Sequence, residues 1–196
     1  ISNQTSRIAE LEKEKNEFDA KINELQKQTK TSLFVEGDTD VEYLNKAAEL
    51  YPEWKQILDS IEVKAKNGKG DLSKYWKNRL QIKEFIKNPI ILLFDCDTNQ
   101  TDEDDGLVYK RCVPTQDINS IKKGIENLFA DDLILDAEKL GNKKFTQKSI
   151  PNADETNKQK WCVINDEKKN LADWICNNAQ ENYFFKFEVI FNLIKD

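Results

Sequence analysis

Apolar and polar residues follow a helical repeat in the first thirty residues of the chain. Between residues 6 and 29, apolar side chains recur at intervals of three, four or seven positions, at Ile8, Leu11, Phe18, Ile22 and Leu25. This heptad seam, with Lys15 at one of its core positions, predicts a helix of about six turns that pairs with a second copy as a coiled coil. The alternatives are a lone amphipathic helix packed on its own domain and a disordered linker.

From residue 31 onwards, short continuous apolar runs alternate with amphipathic stretches. The continuous runs predict buried strands at residues 32–35, 61–65, 89–95 and 107–113. The stretches between and after them predict helices that begin near Asp38, Asp71 and Pro114, the last ending near Phe129. This order predicts an α/β fold, in which a parallel sheet of about four strands is flanked by helices.

The C-terminal third is more polar and its pattern is weaker. Residues 136–160 predict an exposed loop or insertion, and the apolar run 161–164 predicts a short strand or the lead into a helix. Residues 167–180 and 182–195 predict two helices. The chain therefore divides into an N-terminal helix, an α/β domain and a C-terminal amphipathic helix, at residues 1–30, 31–180 and 181–196.

Composition restricts the cellular location and the class of partner. The chain has 196 residues, 34% of them charged, and a formal net charge of −6. This acidity argues against a simple basic nucleic-acid-binding module, although a nuclease can draw positive charge from bound metal ions. No apolar run approaches the ~20 residues of a membrane span, and no signal peptide is visible, so we expect a cytoplasmic protein without a membrane partner.

Particular residue types narrow the chemistry further. The four cysteines show no C-x-x-C spacing and are expected to be buried free thiols of a reducing compartment. The absence of histidine excludes Ser-His-Asp and Cys-His catalysis and histidine-ligated zinc. Methionine is absent even at position 1, which leads us to expect that further sequence precedes Ile1.

Carboxylates stand where two of the predicted strands end. Glu36 follows the first strand, and Asp95 and Asp97 follow the third. The carboxyl ends of parallel strands meet at one edge of a sheet, where open α/β sheets place their sites. Asp40 lies in the first turn of the next helix and either faces the same site or caps that helix. Such a cluster needs a cation among its charges, and its oxygen donors suit Mg²⁺ or Mn²⁺. The acidic run at residues 102–105 is expected to be solvated.

These acidic motifs resemble those of the TOPRIM family, the metal-binding domain of topoisomerases, primases and OLD-type nucleases. The family has a Glu-Gly motif after its first strand and an Asp-x-Asp motif after its third, which correspond to residues 36–37 and 95–97. The Glu-Gly-x-x-Asp spacing that ends at Asp40 is similar to the OLD branch. So is the segment at residues 124–128, which contains Glu126. The resemblance spans residues 31–180 and implies a TOPRIM-like sheet.

The resemblance implies a two-metal site for Mg²⁺ or Mn²⁺. Glu36, Asp95 and Asp97 would hold one ion, with Glu36 also acting as the general base. Asp40 and Glu126 would lie nearer the second ion. Two ions about 4 Å apart clamp the attacking and leaving oxygens of an in-line displacement.

Four lysines are candidates for contact with nucleic acid. Lys168 or Lys169 matches, loosely, a lysine that in OLD-type nucleases stabilises charge on the scissile phosphate. Lys66 and Lys69 flank a glycine-containing turn after the second strand and could bind a nucleic-acid backbone as point charges. The alternative for each is an ordinary surface lysine.

Together these features predict a metal-dependent endonuclease that acts on DNA. The resemblance further implies a role in phage defence or DNA processing with an ATPase partner or an upstream ATPase domain, because no P-loop motif occurs in this sequence. One alternative is a catalytically inactive TOPRIM-like scaffold assembled through its coiled coil. Another is an RNA-processing or primase-like enzyme. The sequence leaves open the substrate, its specificity, the oligomeric state and the trigger.

Overall fold

A five-stranded, mostly parallel sheet forms the centre of the protein in the computed structural model, which describes residues 2–148 and 161–195. Its strands are β1 (Thr31–Val35), β2 (Ile61–Ala65), β3 (Ile90–Phe94), β4 (Glu103–Asp105) and β5 (Val108–Cys112). They lie in the order β2-β1-β3-β5-β4, with β4 antiparallel to β5 and the other pairs parallel. The central strands β1 and β3 bury nearly every side chain, which explains their continuous apolar sequences.

Helices cover both faces of this sheet. They are α1 (Ser2–Gln26), α2 (Asp38–Leu50), α3 (Pro52–Ser60), α4 (Lys69–Lys77), α5 (Arg79–Ile82), α6 (Asp131–Leu140), α7 (Lys168–Asn177), α8 (Glu181–Phe184) and α9 (Glu188–Lys195). A separate antiparallel pair consists of β6 (Thr146–Lys148) and β7 (Trp161–Val163). The α/β fold class is therefore confirmed, with five strands in the main sheet instead of about four.

Two apolar clusters lie on opposite faces of the sheet. Leu33 and Val35 of β1 belong to the larger cluster, which includes buried residues of α2, α3, α7 and α9. Phe34 belongs to the smaller one, together with residues of α1, α4 and α5. This division follows from the two-residue period of a strand. In the larger cluster, a group of aromatic rings packs around Phe129, with Tyr43 and Phe184 edge-on to it.

Helix α1 is half attached to the domain and half exposed. Its C-terminal half places Ile22 and Leu25, 8% and 2% exposed, in the smaller cluster. In its N-terminal half, Ile8 and Leu11 are 57% and 49% exposed. The predicted helix is confirmed, and its C-terminal half packs on its own domain, whereas its pairing with a second copy stays a prediction.

Two predictions of local structure were wrong. The helix expected from Pro114 to Phe129 is an irregular segment that ends in a 3₁₀ turn at Ile125–Leu128. Part of the polar stretch 136–160 belongs to α6 and β6, and residues 149–160 lie outside the described residues.

The acidic run at residues 102–105 was expected to be solvated, and Glu103 and Asp104 are exposed. Its residues 103–105 form β4, where Glu103 and Asp104 pair with Lys110 and Arg111 of β5. Both basic side chains are largely buried, so the acids neutralise charges inside the sheet edge. Within the described residues, no helix is long and apolar enough to cross a membrane.

Candidate functional site

The carboxyl ends of β1 and β3 bring Glu36 and Asp95 together. The two strands are adjacent and parallel, and the Asp95 amide donates a hydrogen bond of 3.0 Å to Oε1 of Glu36. Burial raises the pKa of Glu36, and the negative charge of Asp97 raises it further. The pKa of Asp95 lies well above its usual range because of burial, followed by the charges of Asp40 and Glu36. The three carboxylates expected at this edge therefore lie close enough to repel one another.

Asp40 joins this cluster from the first turn of α2. Its side chain is only 5% exposed, and Oδ2 accepts a hydrogen bond of 2.8 Å from the Gly37 amide. The cap interaction considered from the sequence is thus present. Asp40 also interacts with the site, because burial and then the charge of Glu126 raise its pKa to about 7. Asp40 therefore both caps α2 and belongs to the acidic cluster.

Glu126 lies deepest in the cluster, in the 3₁₀ turn that precedes Phe129. It is 1% exposed, and among the described residues neither of its carboxylate oxygens has a hydrogen-bond partner. The nearest positive charge is Nζ of Lys168, 3.9 Å from Oε1. Burial raises the pKa of Glu126, and Lys168 opposes that rise. A buried carboxylate this poorly compensated costs free energy unless a further cation or donor approaches it.

Gly124 allows the chain to pass close to Glu126. Its φ of 75° and ψ of 175° lie in a region that essentially only glycine adopts. Its amide donates a hydrogen bond of 3.1 Å to Oδ1 of Asp97. This bond ties the loop that carries Glu126 to the start of the loop after β3, so the two acidic segments are held together.

Lys168 is the basic residue of this cluster, and Lys169 is not. Burial by itself would lower the pKa of Lys168, but the combined charges of Glu126, Asp95 and the other acids outweigh it and raise the pKa. Lys168 therefore stays positively charged. Lys169 points elsewhere and pairs at the surface with Glu42 at 2.8 Å and Asp173 at 2.7 Å. The structure thus separates the two lysines that the sequence left as equal candidates.

The cluster opens into a cleft of about 550 Å³ whose rim is basic. Its lining includes Glu36, Asp95 and Asp97 together with four lysines, Lys69, Lys123, Lys148 and Lys168. Sequence reasoning missed Lys123 and Lys148. The position of Lys123 immediately before the Gly-x-Glu segment could have indicated it, whereas Lys148 comes from the β6 strand, which was not predicted.

Lys66 does not line the described part of this cleft. Its ammonium lies 4.1 Å from the centre of the Phe34 ring and 3.8 Å from Oε1 of Glu24 in α1. Burial lowers the pKa of Lys66. The side chain therefore links β2 to α1 on the other face of the sheet, unlike Lys69, which lies at the cleft.

The donor set suits a hard divalent cation. It consists of carboxylate oxygens, and the unpartnered, fully buried oxygens of Glu126 call for a positive charge. Within residues 2–148 and 161–195, however, no three acidic or thiol side chains are arranged as they would be around a metal ion.

The cysteines form no disulfide among the described residues. All four are free and partly buried. Cys96, between the two aspartates of the Asp-x-Asp motif, has its pKa raised to about 12 by burial and then by the charges of Asp97 and Asp95. A thiol with so high a pKa is a poor nucleophile at neutral pH.

Comparison with known proteins gave no further assignment: no family model, curated protein or solved structure matched this chain.

Proposed function

We propose that this chain is a metal-dependent phosphodiesterase that cleaves DNA, with a TOPRIM-type fold closest to the OLD branch. The observation that carries the proposal is the convergence of five carboxylates and one lysine at the carboxyl edge of the sheet. The strand order, with β1 beside β3, supports a TOPRIM-like arrangement because it brings the Glu-Gly and Asp-x-Asp motifs to adjacent strand ends.

Two sets of carboxylates would hold divalent cations. Glu36, Asp95 and Asp97 would bind one Mg²⁺ or Mn²⁺ ion, and Asp40 with Glu126 would contribute to a second. When bound, such ions lower the pKa of water and neutralise charge on a phosphate. The raised pKa values of Glu36 and Asp95 support this proposal. Burial and the neighbouring negative charges destabilise the ionised carboxylates, and a bound cation would stabilise them.

The side chains of the site have separate roles in this reaction. Glu36 lies at the cleft and accepts a proton from the attacking water as the general base. Lys168 stays charged and stabilises the negative charge that develops on the phosphate. Lys69, Lys123 and Lys148 line the same cleft and bind the neighbouring phosphates of the strand. This local basic rim allows an acidic protein to bind a polyanion.

Partners and biological role belong to the same proposal. The OLD-like motifs favour an ATPase domain or subunit and a role in antiviral defence or DNA processing in the cytoplasm. A homo-oligomer through residues 6–29 is supported by the exposure of Ile8 and Leu11 on the otherwise charged half of α1. That exposure also favours the alternative of an inactive scaffold, in which α1 assembles a larger complex.

A cleavage assay tests the proposal directly. Supercoiled DNA, linear DNA and single-stranded RNA are each incubated with the protein and Mg²⁺, Mn²⁺ or EDTA. We expect DNA cleavage that needs the metal and disappears in Asp95→Ala and Asp97→Ala. The control is Asp136→Asn, an exposed acid on α6, which should retain full activity. Cleavage in EDTA, or full activity of both alanine variants, would reject the metal site, and cleavage of RNA alone would favour an RNA-processing enzyme.

A further inference from the structure

Two buried polar groups without hydrogen-bond partners lie in the same part of the core. One is the hydroxyl of Tyr43, whose side chain is fully buried, and the other is the carboxylate of Glu126. Among the described residues, neither group has a partner. A buried hydroxyl without a partner is destabilising, and a buried carboxylate without one is more so. A donor and an acceptor that are both unsatisfied and close together can remove both penalties at once.

Packing directs Tyr43 towards the turn that carries Glu126. The Tyr43 ring meets the Phe129 ring edge-on, with their centres 4.9 Å apart. Phe129 directly follows the 3₁₀ turn Ile125–Leu128, to which Glu126 belongs. In α2, Tyr43 lies three residues after Asp40, so the two side chains share one face of the helix. The charge of Glu126 raises the pKa of Asp40, which places Glu126 near this face of the helix.

The charges around Tyr43 leave Glu126 as the best acceptor. After burial, Glu126 is the largest contributor to the raised pKa of the Tyr43 hydroxyl, ahead of Cys176 and Asp40. Oδ2 of Asp40 already accepts a hydrogen bond from Gly37. The sulfur of Cys176 is a weak acceptor. The carboxylate of Glu126 has free lone pairs and is the strongest acceptor of the three.

We infer that one trapped water links the Tyr43 hydroxyl to the Glu126 carboxylate by hydrogen bonds, and that Tyr43 is a positioning residue for Glu126. Oε1 of Glu126 also lies 3.9 Å from Nζ of Lys168. A donor on the Tyr43 side fixes the orientation of the carboxylate between the aromatic core and the cleft. Carboxylates that bind metals are held by such hydrogen bonds, whose loss weakens metal affinity about 10- to 100-fold.

The stability of the Tyr43→Phe variant tests this link, and the measurement does not depend on cleavage of DNA. The substitution removes one oxygen atom and keeps the ring packing on Phe129. If the hydroxyl has no partner, its removal leaves the unfolding equilibrium constant unchanged or lowers it. If the hydroxyl is hydrogen-bonded to the Glu126 carboxylate through the water, the unfolding equilibrium constant of Tyr43→Phe, measured with urea in EDTA, rises about 10-fold or more. Tyr75→Phe, on the other face of the sheet, is the matched control and should show no interaction with Glu126.

A double-mutant cycle identifies the acceptor. In a Glu126→Ala background, Tyr43→Phe should no longer raise the unfolding constant, whereas Tyr75→Phe should act equally in both backgrounds. The Raman difference spectrum of wild type minus Tyr43→Phe needs no alanine variant. Its tyrosine doublet should be that of a hydroxyl that donates a hydrogen bond. A doublet typical of a free hydroxyl, or identical effects of Tyr43→Phe in both backgrounds, would overturn the inference.

The consequence for metal binding rests on the proposed function, and calorimetry with Mn²⁺ separates the two. We expect Tyr43→Phe to bind Mn²⁺ about 10-fold more weakly than wild type. If wild type binds no Mn²⁺ while the unfolding cycle shows coupling, the proposed function fails and the Tyr43–Glu126 link stands. If wild type binds Mn²⁺ and Tyr43→Phe binds it equally well, the positioning role is rejected.

Discussion

A β-carbon placed on Gly124 would overlap with Oε2 of Glu126. Because Gly124 has no side chain, the carboxylate of Glu126 has room to lie against its backbone. The same glycine donates its amide proton to Asp97, so its backbone position is fixed from the other side as well.

Replacement of Gly124 by alanine should damage both stability and the site. The positive φ strains any other residue by about 1–3 kcal/mol, and the contact with Glu126 adds a steric cost. We expect a lower urea midpoint and loss of metal-dependent cleavage. Gly68→Ala is the matched control for stability, because Gly68 has a similar φ of 76° and a β-carbon there meets nothing within 4 Å. Equal destabilisation by the two variants would show that the contact with Glu126 costs nothing.

Lys168 and Lys169 should respond very differently to substitution by methionine. Loss of Lys168 removes the positive charge among the acids of the cleft and should reduce the cleavage rate about 100-fold or more. Lys169→Met breaks only surface ion pairs with Glu42 and Asp173 and should leave the rate within about twofold. Single-turnover kinetics on linear DNA measures both. A similar loss in the two variants would contradict the separation of their roles.

The stability of the metal-free protein should fall as the pH rises. Asp40 has an ordinary pKa of 3.8 and a pKa of about 7 in the folded protein, so between these values the folded state binds more protons than the unfolded state. Because a tenfold change in proton affinity corresponds to about 1.4 kcal/mol, we expect a loss of up to about 4 kcal/mol between about pH 4 and pH 8. Urea unfolding in EDTA measures this loss. Asp40→Asn should flatten the dependence, and an unchanged slope in that variant would assign it to other groups.

Much of the site followed from the sequence because its geometry comes from strand ends. Continuous apolar runs located β1 and β3, and parallel strands necessarily bring Glu36 and Asp95 to one edge. Asp40 followed from helical spacing, since it lies in the first turn of the next helix. These relations are local in sequence or are imposed by sheet topology, so they required no knowledge of side-chain packing.

The parts that were missed depend on particular side-chain contacts and not on a periodic pattern of apolar residues. Residues 114–129 contain apolar residues at helical spacing, yet Asn127 accepts a hydrogen bond from the Gln116 amide and donates one to the Ile121 carbonyl. The Asn127 side chain thus satisfies these two backbone groups without a helix. Strand β4 has a charged sequence, and it forms because Lys110 and Arg111 of its neighbour need acidic partners. No local pattern encodes either arrangement.

The exposed half of α1 supplies the last prediction. Ile8 and Leu11 continue the apolar seam of the helix beyond the point where Phe18, Ile22 and Leu25 pack on the domain. If a second copy covers them, the double variant Ile8→Lys/Leu11→Lys should lower the mass measured by light scattering and leave the urea midpoint of the domain unchanged. The variant is preferable to deletion of residues 1–29, because deletion also removes buried residues of the smaller apolar cluster.

Leu25→Ala is the complementary control for this test. Leu25 is 2% exposed and contacts the smaller cluster, so its truncation should cost about 2–5 kcal/mol of stability. It leaves the exposed seam intact, and the mass should therefore stay that of wild type wherever the domain remains folded. A monomeric mass for wild type, or an unchanged oligomer in the Ile8→Lys/Leu11→Lys variant, would show that the seam serves only to attach α1 to its own domain.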